Sequence, residues 1–110
     1  MIFVTGPRYS GKHVVVRNML QLSEEPMRVI DPSLEDVGNA TDFDAYVKEL
    51  CAYDVVILPE VGSGVVPMDA EAVNLREKCG ELAQRLATQA DVVVRVVCGI
   101  PQILKGTMDS

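Results

Sequence analysis

The chain has 110 residues, of which 48% are hydrophobic and 24% are charged, and its formal net charge is −6. This composition is typical of one globular domain, here spanning residues 1–110, and excludes a disordered or low-complexity chain. The acidic charge argues against bulk binding to nucleic acid or to an anionic membrane surface, and no apolar run approaches the length of a membrane span. We therefore expect neither a nucleic-acid partner nor a membrane partner.

The cysteines and the single histidine limit the metal and redox chemistry that the chain can perform. Cys51, Cys79 and Cys98 are far apart, odd in number and set among apolar residues, which is typical of reduced thiols in or near a core. His13 is the only histidine, which excludes a multi-histidine metal site. The start of the chain lacks a basic segment before its apolar residues and does not resemble a secretory signal. A cytoplasmic protein is expected.

The first part of the chain predicts two strands separated by a helix. A short apolar run over residues 2–4 indicates a buried strand. Apolar residues at three- and four-residue steps indicate a helix over residues 12–22, with Leu22 on its buried side. A second strand is predicted over residues 27–30, and residues 33–41 form a polar connection without strong periodicity.

A second helix and a third strand follow. Thr41 is the predicted cap of a helix over residues 42–51. The nearly all-aliphatic residues 54–58 are typical of a parallel strand that is covered on both faces. Residues 59–67 are rich in glycine and proline and therefore indicate a loop.

The last part of the chain predicts a long helix and a fourth strand. The helix extends from about residue 69 to residue 89 and contains Gly80, which costs about 1 kcal/mol relative to alanine and so indicates close packing at that point. Residues 92–97 form the fourth strand, and residues 98–106 close the ordered part of the chain.

Alternating strands and helices predict an α/β fold of the P-loop NTPase-like, three-layer type. Its small parallel sheet should have about four strands in the order 2-3-1-4, with the first strand in the centre. Ligands of such sheets bind beyond the carboxyl ends of the strands. We expect residues 6–13, Asp31, residues 59–67 and residues 98–101 to meet at that edge.

Residues 6–12 match the phosphate-loop pattern G-x-x-x-x-G-K. Glycines let the backbone wrap a phosphate, the following helix adds its positive end, and the lysine ammonium neutralises the outer phosphates. The predicted ligands are GTP or ATP, and a turn that only caps the helix is the alternative. The predicted binding residues are Gly6, Pro7, Arg8, Tyr9, Ser10, Gly11, Lys12 and His13.

His13 occupies the position where such loops carry a serine or threonine that gives Mg²⁺ a hard oxygen ligand. Neutral imidazole suits softer metals, a protonated His13 could face a phosphate directly, and a helix residue without a ligand role is a third interpretation. Asp31 and Glu60 remain as carboxylates that could hold a metal through water, although either could be an ordinary loop residue. No metal ligand is assigned, and Mg²⁺ stays an open question.

The second half of the chain resembles a known family at five stretches: Glu60–Pro67, Arg76–Gly80, Gln84–Ala87, Ala90–Val96 and Gly99–Lys105. They resemble the C-terminal half of the bifunctional adenosylcobinamide kinase/adenosylcobinamide-phosphate guanylyltransferases of cobalamin biosynthesis. The phosphate loop precedes these stretches, so both ends of the chain resemble the family, in the same order along the sequence. The resemblance implies a P-loop fold, GTP or ATP as the nucleotide, and cobinamide or another corrinoid as a partner. In a kinase of this kind Lys12 and Glu60 are the candidate catalytic residues.

The chain also departs from this family, as a shortened member. Residues 31–53 replace the segment that carries the family's guanylylated histidine, and they contain neither a histidine nor the family's acidic-Cys-Thr triplet. Residues 80–84 read G-E-L-A-Q where the family has G-R-x-N-Q, in a helix that contributes to the site and to subunit contacts. We therefore expect guanylyl transfer to be lost, and assembly into a homo-oligomer is left open.

Three functions compete at this point. The first is a small kinase-like enzyme that phosphorylates cobinamide or a similar alcohol. The second is a nucleotide-binding or protein-interaction module that keeps the scaffold without the chemistry. A structural remnant with an empty loop is the third, and the intact Gly6, Gly11 and Lys12 argue against it.

Overall fold

A computed structural model describes residues 1–7, 10–60 and 70–107. Its elements in chain order are β1 (Ile2–Gly6), α1 (Lys12–Leu22), β2 (Val29–Ile30), α2 (Leu34–Asn39), α3 (Phe43–Cys51), β3 (Val55–Pro59), α4 (Ala70–Gln89), β4 (Val92–Val97) and β5 (Ile100–Lys105). Within the described ranges, no helix is both long and apolar enough to span a membrane.

The strands form one sheet in the order β2-β3-β1-β4-β5. The first four run parallel to one another, and β1 lies between β3 and β4, with Ile2 opposite both Val55 and Val92. This arrangement confirms the predicted P-loop-like α/β fold and the strand order 2-3-1-4. It also adds a strand, because β5 pairs with β4 in the antiparallel direction.

The fifth strand corrects the expectation that residues 98–106 merely close the chain. Cys98 and Gly99 form the connection between β4 and β5, and their φ angles are +53° and +74°. Positive φ at both positions is what a two-residue type I′ hairpin turn requires. Cys98 is therefore exposed rather than near the core, whereas Cys79 is buried and Cys51 partly so, and all three thiols are free.

The core consists of two apolar layers, one on each face of the sheet. Side chains of successive strand residues point to opposite faces, so Phe3, Val56 and Leu58 pack under α2, α3 and α4. Val4 and Ile57 pack on the other face, under Val15 and Val16 of α1, among other residues. The result is three layers, with the sheet in the middle.

Helix α2 lies within the segment that the sequence predicts as an irregular connection. Ser33 and Asp36 form a capping box, in which the Asp36 amide donates to Ser33 Oγ over 3.1 Å and the Ser33 amide donates to Asp36 Oδ2 over 3.4 Å. The cap of α3 is Asp42 rather than the predicted Thr41, because Asp42 Oδ1 accepts a hydrogen bond from the Ala45 amide.

Two packing predictions are wrong. Gly80 is exposed in α4, and beyond its own stretch of helix no atom of the described residues lies within 4 Å of the position that a Cβ would occupy, so no close packing explains this glycine. Leu22 is 76% exposed because it lies at the last residue of α1, beyond the edge of the core. The predicted loop over residues 59–67 falls, after Glu60, outside the described residues.

Candidate functional site

The carboxyl ends of the parallel strands bring the candidate residues together. Gly6 at the end of β1 pairs with Pro59 at the end of β3, and the next amide, that of Glu60, donates to the Gly6 carbonyl over 2.9 Å. Asp31 follows directly after β2. These residues lie at the edge where open α/β sheets bind ligands.

The two glycines of the loop occupy positions that a side chain could not share. A Cβ on Gly6 would lie 2.3 Å from the Val96 carbonyl oxygen of β4 and 2.9 Å from Ser10 Oγ. Gly11 caps α1 with φ at +88°, in the left-handed region, and a Cβ there would lie 3.1 Å from the Gly99 Cα. The loop follows a path against the β4–β5 hairpin that only glycine permits at these two positions.

Backbone hydrogen bonds hold the loop against this hairpin. The Gly99 amide donates to the Ser10 carbonyl over 2.6 Å, and the Ser10 amide donates to the Pro7 carbonyl over 3.2 Å. Ser10 is buried as a result. Arg8 and Tyr9, two of the predicted binding residues, lie outside the described residues.

Lys12 points into the loop and is only 6% exposed. Its Nζ donates to the Pro7 carbonyl over 2.9 Å and to the Gly6 carbonyl over 3.3 Å, with Ser10 Oγ at 3.5 Å. Burial lowers the pKa of the ammonium, while the negative charges of Asp31 and Glu60 act in the opposite direction. A positive charge is thus held inside the loop, at the first residue of α1.

His13 and Asp31 form a pair beside the loop. His13 Nε2 lies 2.6 Å from Asp31 Oδ2, so one carboxylate oxygen at the end of β2 is bonded to the imidazole. Their side chains are 63% and 44% exposed, which places the pair at the mouth of the site rather than inside it. The sequence indicates both residues as candidates, but it does not predict that they bond to each other.

Glu60 is bonded at both oxygens to Arg95 of β4. Arg95 Nε donates to Glu60 Oε1 over 2.6 Å, and Nη2 donates to Oε2 over 3.1 Å. This pairing is the main reason that the pKa of the Glu60 carboxyl is lowered, and Lys12 adds to the effect. Sequence reasoning missed Arg95, although a lone charge within the aliphatic run V-V-V-R-V-V is a visible signal.

A separate depression lies between α3 and the C-terminal part of α4. Side chains of both helices form its walls: Asp44, Val47, Lys48, Cys51, Arg85, Thr88 and Gln89. It contains none of the residues that the loop pattern indicates. Among the described residues, no group of three or more histidine, cysteine, aspartate or glutamate side chains could hold a metal ion.

The central strand, the glycine loop and the helix that begins at Lys12 define a P-loop-like α/β protein. The family model described as cobinamide kinase / cobinamide phosphate guanyltransferase matches residues 14–104, and the chain belongs to this family. This match confirms the resemblance drawn from the second half of the sequence. The chain matches no curated protein. The matched range begins just after His13, so the interpretation of the loop rests on the loop's own residues.

Proposed function

We propose that this chain binds GTP or ATP through residues 6–13 and acts as a nucleotide-binding module that has lost guanylyl transfer. The observation that carries the proposal is the buried Lys12 ammonium, which is surrounded by loop oxygens at the start of α1. The relation to cobinamide kinase and guanyltransferase is a property of the family. The nucleotide, and cobinamide or another corrinoid as a further ligand, are proposed for this chain.

A phosphate would improve the environment of this ammonium. Lys12 now donates to two backbone carbonyls of Gly6 and Pro7, which are neutral acceptors. Hydrogen bonds between an ammonium and a phosphate are charge-assisted and about twice as strong as neutral ones. The start of α1 adds backbone amides and the positive end of a helix dipole. Lys12 would therefore turn from the loop carbonyls toward the bound phosphate.

Binding without transfer is favoured over a kinase by the state of Glu60. Both of its oxygens are bonded to Arg95, and its pKa is lowered, so it is a weak proton acceptor. Guanylyl transfer needs a histidine nucleophile in this family, and His13 is the only histidine of the chain. His13 belongs to the phosphate loop, and its Nε2 is bonded to Asp31.

Isothermal titration of the wild type with GTP and with ATP tests the proposal. We expect saturable binding of at least one nucleotide, and the Lys12→Met variant, which keeps the length of the side chain but not its charge, should lose it. Arg17→Met is the matched control, because Arg17 is an exposed cation on the same helix and should not affect binding. Circular dichroism would establish that both variants fold. Absence of binding by folded wild type would overturn the proposal.

An assay for covalent labelling distinguishes a nucleotide-binding module from a guanylyl transferase. Incubation with GTP labelled at the α-phosphate should leave no label on the denatured protein. Label that disappears in a His13→Ala variant would show that guanylyl transfer persists, with His13 as the acceptor.

A further inference from the structure

We infer that the phosphate loop of this chain takes its ligand without a divalent metal ion. The inference rests on the proposed nucleotide binding and concerns the charges that would surround the bound phosphates. P-loop sites ordinarily pair the phosphates with Mg²⁺, and the candidate ligands among the described residues of this site do not fit that ion. Three observations, each on a different residue, support this conclusion.

The first observation concerns the residue after the loop lysine. Mg²⁺ requires oxygen ligands in near-octahedral geometry, and the hydroxyl of a serine or threonine supplies one of them in P-loop proteins. His13 replaces this hydroxyl with an imidazole, which suits softer metals. The direct protein ligand for magnesium is therefore missing.

The second observation concerns the carboxylate at the end of β2. Asp31 could hold a hydrated Mg²⁺ only if its oxygens were available to the water ligands. Oδ2 instead lies 2.6 Å from His13 Nε2. His13, which replaces the serine or threonine hydroxyl, thus also engages one of the two oxygens of the Asp31 carboxylate.

The third observation concerns the carboxylate at the end of β3. Both oxygens of Glu60 accept hydrogen bonds from the Arg95 guanidinium, at 2.6 and 3.1 Å. A bidentate bond of this kind fixes the carboxylate and neutralises its charge. Glu60 is 29% exposed, so the pair is partly buried.

Together these bonds engage carboxylate oxygens that would otherwise be available to the water ligands of a metal ion. Both carboxylates that remain as candidate metal partners are bonded to side chains of the chain itself, namely His13 and Arg95. Lys12 carries the charge inside the loop. The site is thus arranged to neutralise phosphate with protein groups, which is a different solution from a lysine assisted by Mg²⁺.

Titration of the wild type with the tighter-binding nucleotide, once in EDTA and once in excess MgCl₂, tests this inference. We expect the two dissociation constants to agree within about threefold, which corresponds to less than 1 kcal/mol. Affinity that is tenfold or more higher in magnesium would overturn the inference and leave the proposed function intact. No binding under either condition would overturn both.

Substitution at position 13 assigns the effect to a residue. His13→Ser restores a hydroxyl and frees Asp31, so its affinity should become at least about tenfold higher in MgCl₂ than in EDTA. Val14→Ser is the matched control, because Val14 is the next residue of the same helix, is 54% exposed and lies outside the loop. This control should behave like the wild type. If His13→Ser gained no magnesium dependence, the assignment to His13 would be wrong.

Discussion

The phosphate loop and the β4–β5 hairpin touch at the same edge of the sheet, but different interactions determine their shapes. In the loop, Ser10 and Lys12 are buried, and glycine is required where the backbone passes Val96 and Gly99. In the hairpin, every residue of β5 is exposed, including Ile100 at 68% and Leu104 at 55%. The loop depends on close approach to the hairpin backbone, whereas the side chains of β5 lie outside the core.

This difference shows where the loop obtains its shape. Gly6, Ser10 and Gly11 approach backbone groups of the hairpin: the Val96 carbonyl, the Gly99 amide and the Gly99 Cα. Residues about 90 positions away in the chain thus support the phosphate loop through atoms that most side-chain substitutions would not alter. Added atoms in the loop should therefore be costly, and changed side chains in the turn and in β5 should not.

The largest effect is expected for Gly6→Ala. The new Cβ would lie 2.3 Å from the Val96 carbonyl oxygen of β4, a strand that is paired with β1 on one side and β5 on the other, so this oxygen can move only if β4 shifts. We expect a loss of about 3 kcal/mol in the free energy of unfolding, measured by urea denaturation, together with loss of nucleotide binding. Gly80→Ala is the matched control and should gain about 1 kcal/mol, since Gly80 is exposed in a helix with open space around it. Small changes of similar size in the free energy of unfolding for Gly6→Ala and Gly80→Ala would contradict the conclusion that the loop depends on close approach to the hairpin backbone.

A smaller loss is expected for Gly11→Ala, which changes the other glycine of the loop. Its φ of +88° costs alanine about 1–2 kcal/mol, and the Cβ would lie 3.1 Å from the Gly99 Cα. Gly11→Asn should lose less, because asparagine tolerates the left-handed region better while it carries the same Cβ. Urea denaturation of the two variants separates backbone strain from contact with the hairpin. Equal losses would show that the contact dominates.

The pair between Glu60 and Arg95 predicts a pH dependence of stability. Because the folded-state pKa of Glu60 lies below its ordinary value of 4.5, its contribution is complete above about pH 4.5 and is lost as the pH falls through the folded-state value. Arg95→Met should therefore be less stable than the wild type near neutral pH, and this difference should shrink in acid. Arg17→Met, at an exposed arginine of α1, should show no such convergence. Urea midpoints measured from neutral pH to pH 3 would check this.

Much of the fold could be predicted because local patterns in the sequence indicate its strands and its loop. The aliphatic runs of β1, β3 and β4 indicate buried parallel strands, and the glycine-lysine spacing indicates the loop. Helix α2 and strand β5 were not predicted, although the sequence contains a local pattern typical of each. The S-x-x-D pattern over residues 33–36 is a capping box, and two β-branched or apolar runs separated by Cys98-Gly99 indicate a hairpin. Pro101 argues against a strand after this turn, although proline is tolerated in an edge strand such as β5.

The partners within the candidate site could not be predicted. His13 and Asp31 are 18 residues apart, and Glu60 and Arg95 are 35 residues apart. Neither spacing has a local period, because these pairs form only after the parallel strands align at the edge of the sheet. Sequence patterns indicate which charged residues lie at this edge of the sheet. Which of them bond to each other depends on the strand order and on the direction of each side chain.

The smallest effect is expected at the turn of the hairpin, for Cys98→Asn. Cys98 adopts a φ of +53°, which is uncommon for a residue other than glycine, and asparagine is enriched at such positions. We expect a gain of about 0.5 kcal/mol in the free energy of unfolding, because asparagine fits a conformation that cysteine adopts at a cost. Cys98→Val should instead lose stability, since a β-branched side chain disfavours positive φ. Nucleotide affinity should be unchanged in both folded variants, because the loop contacts the turn through the Gly99 amide and not through the exposed side chain at position 98. A change in affinity without a change in fold would mean that this side chain also takes part in the site. The loop would then depend on a side chain of the turn as well as on the hairpin backbone.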